Sequence, residues 1–170
     1  MISKSIIRYK TKSGSKKNRE LRDSPTYRDS QLIGILFCVE DIQKHQSVKH
    51  LVKTFENDNK KVEVLTYLPK DKDNYEFLFD FYSKKDFSFL GNFENETITS
   101  FVEKPFDFLF CLDMDINIFN KYILAKSKAK CRVGNYRTEN TSVLEMMISP
   151  KYQKIESLVE EIIHYTKNLI

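Results

Sequence analysis

Phe106-Asp107-Phe108-Leu109-Phe110-Cys111-Leu112, followed by Asp113-Met114-Asp115, is the stretch whose reading decides the fold. A mostly apolar run bounded by Pro105 and an acidic pair spells a buried strand. Asp115 stands where a helix N-cap belongs. Ile116, Phe119 and Ile123 then recur at helical spacing, with Ile118, Tyr122 and Ala125 beside them, in a helix drawn from Ile116 to Lys128. Cys131 and Val133 belong to a short strand that ends at Gly134. Strand, helix and strand in that order are the unit of a parallel sheet.

Outward from this unit the same alternation continues. Leu32–Val39 and Val62–Leu68 read as strands, joined by a helix that Asp41 caps and that Ile42, Val48, Leu51, Val52 and Phe55 line on one face. His45 falls on that face, so it reads as a packed histidine. Asn57-Asp58-Asn59 ends the helix. Phe77, Phe79 and Phe81 alternate within Tyr75–Tyr82, a short strand or extended segment on the core. Lys84–Gly91 is an ordered loop, and Thr97–Lys104 a short helix. Val143–Ile148 is a last strand of open direction, because no helix links it to the one before. Ser149 and Pro150 read as N-cap and first residue of a final helix over Lys151–Lys167. The pattern predicts an α/β fold, a Rossmann-like three-layer sandwich with a mainly parallel five-stranded sheet. Residues 1–30 read as a basic N-terminal arm or helix and residues 31–170 as the α/β domain.

The 170 residues are 41% hydrophobic and 31% charged, which suits one globular domain with a real core. No apolar run approaches the ~20 residues of a membrane span. No stretch near Met1 resembles an export signal, so the expected compartment is the cytoplasm. Cys38, Cys111 and Cys131 each fall inside a predicted strand, at spacings that suit buried reduced thiols and not a metal site. Charge is uneven. Residues 1–30 hold nine Lys and Arg against three Asp and Glu, a net +6, which leaves −2 on the remaining 140. Three states suit such an arm: a helix docked through Ile2, Ile6 and Ile7, a mobile solvated tail, or an anion-binding arm carrying Lys10, Lys12, Lys16, Lys17 and Arg19. The partner of the third would be polyanionic: RNA, DNA or a membrane surface.

Ligands of Rossmann-like sheets bind at the carboxyl ends of the strands. After the first strand this chain has Glu40-Asp41 where a dinucleotide fold has glycines, and it contains neither G-x-G-x-x-G nor a P-loop. No cofactor is expected. Asp113 and Asp115 are the one candidate metal pair, in the D-x-D pattern that can hold a divalent ion on a diphosphate. The competing reading makes Asp113 a solvated strand-end acid and Asp115 a helix cap.

Two resemblances bear on this. Phe106–Phe110, the following helix and Ala129–Gly134 resemble a strand–helix–strand segment of the acceptor-side half of heptosyltransferase-type (GT-B) glycosyltransferases. That implies, as an alternative function, a reduced domain that binds or transfers a nucleotide sugar. Over nearly the whole chain, Tyr82–Phe87, Gly91, the Phe106-Asp107 strand, Ser127-Lys128-Ala129 and Arg132-Val133-Gly134 resemble an uncharacterised family of short Rossmann-like proteins from Bacteroidota. This second resemblance implies fold and compartment and no activity. The leading expectation is a non-enzymatic macromolecule-binding protein that uses its basic arm.

Overall fold

The computed structural model describes residues 2–73 and 79–169. Six strands form one sheet: β1 (Leu32–Cys38), β2 (Lys61–Tyr67), β3 (Asp80–Tyr82), β4 (Phe108–Cys111), β5 (Cys131–Asn135) and β6 (Met146–Ile148). Their spatial order is β3-β2-β1-β4-β5-β6. Every neighbouring pair is parallel. The helices are α1 (Lys4–Lys17), α2 (Ile42–Asn57), α3 (Glu96–Glu103), α4 (Ile118–Lys126) and α5 (Ile155–Lys167). The α/β class and parallel sheet stand as the sequence predicts. The sixth strand is β3, a three-residue edge strand at the end of the aromatic segment. The rest of that segment, residues 74–78, lies outside the described residues.

Strand alternation divides the core into two layers. Ile33, Ile35, Phe37, Phe108 and Phe110 face α2 and α5, where Val48, Leu51, Phe55, Leu158, Val159 and Ile162 meet them. Leu36, Leu109 and Cys111 face the other way, toward Ile7, Ile98, Phe101, Tyr122 and Ile123 of α1, α3 and α4. Gly34 sits under that second layer. A Cβ there would stand 2.8 Å from Leu109 Cδ1 and 3.0 Å from the Phe106 ring, so the aromatic packs directly on backbone.

The N-terminal segment is a docked helix with its lysines left at the surface. Ser3 caps α1 by accepting from Ile6 N, and Ile2 and Ile7 are buried, with Ile6 partly so. α1 lies close along α4 because residue 14 is glycine: a Cβ there would be 3.2 Å from Ala125 O. The docking also caps α4. Asn18 Nδ2 donates to Lys126 O at 2.9 Å, and Arg22 Nη1 donates to Ser127 O at 2.9 Å and to Ala129 O. The Lys126 and Ser127 carbonyls stand at the C-terminal end of α4, without a partner within the helix, and Ala129 lies just beyond it.

Three boundaries differ from the sequence reading. α4 is capped by Asn117, whose side chain accepts from Phe119 N and Asn120 N; Asp115 is left outside the helix. α5 starts at Ile155 behind Lys154, because the Ser149-Pro150 turn leads into bends that hold Tyr152 N on Ser157 Oγ. β6 keeps only Met146–Ile148 of the longer strand, since Val143 and Leu144 are held by Asn140 O in a turn. β6 is a parallel edge strand.

Candidate functional site

Connections leave β1 toward β2 and β4 toward β5, so the strand order reverses between β1 and β4. A crevice at such a reversal is where ligands of this fold sit. Here residues 39–41 and 112–115 border it, and a lysine fills it. Lys44, in the first turn of α2, is 1% exposed. Its Nζ is 2.7 Å from Asp113 Oδ1 and 2.5 Å from Glu40 Oε1. Asp113 is 0% exposed, which corrects the reading of it as a solvated strand-end acid. Asp113 Oδ1 also accepts Cys38 N at 2.8 Å, and Oδ2 accepts Asn120 Nδ2 at 2.6 Å. Tyr82 OH in turn donates to Asn120 Oδ1 at 2.5 Å. β1, β4, α2 and α4 thus meet on one carboxylate, with β3 joined through Asn120, and its desolvation is offset by a cation and oriented donors.

Burial alone would pull the Lys44 ammonium down; Asp113 and Glu40 outweigh it and hold it above its ordinary value. Burial, then Asp113, pushes the Cys38 thiol up to about 12, and the same two causes hold Cys111 well above its usual range. Neither is poised as a thiolate nucleophile. The N-terminus of α2 is taken as well, since Asp41 accepts Lys44 N at 2.8 Å. Asp115 does not join Asp113. It is exposed and accepts Arg137 Nε at 3.2 Å. Among the described residues no group of three or more His, Cys, Asp or Glu could hold a metal ion.

α1 presents the opposite electrostatics. Its sequence carries six Lys and Arg and no carboxylate. Among the described residues, none of the six is ion-paired. Helical spacing splits the basic residues singled out from the sequence into two rows. Lys12 and Lys16 share an outward ridge with Tyr9, which is 74% exposed. Lys10 and Lys17 line a flank, where a groove of about 310 Å³ separates α1 from α3, α4 and the loop before α3. Arg19 lies past the helix, in a 3-10 turn. Lys10 Nζ donates to Asn92 Oδ1 at 2.5 Å. The groove gains a third cation that sequence reasoning missed, Lys126 of α4. Burial, then Lys17 and Lys10, draws Lys126 below its ordinary value. Only the close α1–α4 approach at Gly14 brings these lysines together.

No helix among the described residues is long and apolar enough to cross a membrane. No curated protein matches the chain, and no solved structure does. A family model matches residues 3–169, from α1 to the end of α5, and the chain belongs to that family of unknown function, DUF6913.

Proposed function

We propose that this protein is a non-catalytic binding protein that holds a polyanionic macromolecule through α1, displayed on the Rossmann-like body. The carrying observation is the contrast between a crevice whose one lysine is held by two carboxylates and a helix whose cations have no ion-pair partner among the described residues. A nucleotide sugar, the alternative ligand, would bring phosphates to the end of β1, where Lys44 and the Asp41 cap already occupy the space and donors they would use. Three free cysteines suit a reducing compartment such as the cytoplasm.

The test is binding to RNA, duplex DNA and anionic vesicles across salt concentrations. Neutralising Lys10, Lys12, Lys16, Lys17 and Arg19 together should leave the fold intact, since Lys12, Lys16, Lys17 and Arg19 are exposed. For a nucleic acid, each lost phosphate contact should flatten the log–log salt slope by roughly 0.7–0.9. An intact protein that ignores all three polyanions at low salt would sink the proposal.

A further inference from the structure

Between β3 and α3 the chain makes a tight turn, Ser88-Phe89-Leu90-Gly91. Gly91 N donates to Ser88 O at 2.9 Å, with Gly91 at φ 77°, a conformation that favours glycine. Ser88 N donates to Asn92 O, and Asn92 N to Ser88 Oγ, both at 2.9 Å. Tyr122 OH fixes the Gly91 carbonyl at 2.9 Å, and Gly91 is wedged against Ile2, Ile6 and Lys10 of α1. The turn is therefore tied at its base. Its two central positions, normally taken by Gly, Pro, Asn, Asp or Ser, hold Phe89 and Leu90, 69% and 64% exposed. Neither is needed for the turn, and neither supports the core. Directly beside them, through Gly91 and Asn92, opens the groove of Lys10, Lys17 and Lys126, whose lining contains no carboxylate.

We infer that this end of the molecule docks on an anionic lipid bilayer: Phe89 and Leu90 enter the acyl boundary, and the lysine groove takes lipid phosphates. The inference rests on the polyanion reading of α1 and names its partner. Charge complementarity points to an anionic surface, and the apolar prong points to one with an apolar interior. A single-stranded nucleic acid would use Phe89 by stacking but would leave Leu90, which has no π-face, uncovered. Tyr9, at the groove and exposed, is a side chain suited to the headgroup level. An apolar prong with a basic patch supplies the two signals that peripheral binding needs.

The chain has no tryptophan, so Phe89→Trp gives a single reporter. Vesicles of phosphatidylcholine alone, and of phosphatidylcholine with phosphatidylserine, are added to the full-length protein. With the anionic vesicles only, indole emission should move to the blue and be quenched by brominated acyl chains. Phe89→Ser with Leu90→Ser should weaken vesicle binding about tenfold without moving the thermal midpoint, because both side chains are exposed. Lys17→Gln with Lys126→Gln should weaken it by roughly 25-fold at low salt, about fivefold per lysine. Indole emission that stays water-like on bound vesicles overturns the inference. So does binding of RNA or duplex DNA without vesicle binding, an outcome that leaves the polyanion function standing. Binding to none of them removes both.

Discussion

Lysine does opposite work at two places in this molecule. In the β1/β4 crevice, Lys44 is buried, held between Asp113 and Glu40, and drawn upward in pKa by them. In the groove beside α1, burial and then the neighbouring Lys17 and Lys10 draw Lys126 downward, against an upward pull from Glu103. The residue type is the same; the sign of the surrounding charge differs. A buried, mutually paired cluster is costly to break and resists new ligands, since anything entering would strand a buried charge. An uncompensated cluster does little for the fold and favours an incoming anion. On the proposed function, the usual ligand crevice of a Rossmann-like sheet is the inert region, and the helix laid on its flank is the receptive one.

The contrast breaks most sharply at Lys44. Lys44→Met leaves Asp113 buried without its cation and should cost about 3–5 kcal/mol by urea unfolding. Adding Asp113→Asn should recover a large part of that loss, because the partner charge goes too while an oxygen remains for Cys38 N. Strictly additive losses would show that the two residues are not coupled.

Alkaline titration tests the same contrast with a smaller effect. Lys44 stands above its unfolded value, so its stabilisation is present below about pH 10.5 and is lost as pH climbs through its folded pKa. Lys126 stands below that value, so stability should rise as pH passes from its folded pKa toward about 10.5. In a side-chain NMR titration of labelled lysines, Lys126 should lose its proton before Lys44. The reverse order would erase the distinction between the two regions.

The smallest effect belongs to the outward ridge. Lys12→Gln with Lys16→Gln should leave unfolding free energy within about 0.5 kcal/mol, since both side chains are exposed and unpaired. A loss of several kcal/mol would mean that α1 charge holds the body together.

Much of the fold is legible in the sequence because burial leaves a period. Leu32–Cys38 and Phe108–Cys111 are apolar on both faces, as strands covered by helices on two sides must be. Asp41 caps α2 as read, and His45 packs at 0% exposure against Phe37. The site is less legible because its partners are distant. Lys44 and Asp113 are 69 residues apart, and the local signal for Lys44 is only its place on the helical row of Val48, Leu51 and Phe55, which the exposed Lys49 and Lys53 do not share. From sequence, Asp113→Asn looks harmless, within about 0.5 kcal/mol; the ion pair at 2.7 Å makes it a core substitution. Lys126 stayed hidden for a similar reason, since its neighbours in the groove come from α1. The sequence reading puts the cap of α4 at Asp115, two positions early: Asn117 takes it while Asp115 pairs with Arg137.

The docking of α1 on α4 has a consequence during synthesis. α1 leaves the ribosome before the helix it covers, which emerges roughly 100 residues later, on the order of 5–20 s at ordinary translation rates. Through that interval Ile2, Ile6 and Ile7 lack most of what covers them, and the lysines around them keep the nascent segment solvated. Asn18 and Arg22 can reach the carbonyls after α4 only once residues 126–129 exist. α1 is therefore made well before its seat on α4, and the α1–α4 seam is the step at which a chain stalled between them would fail.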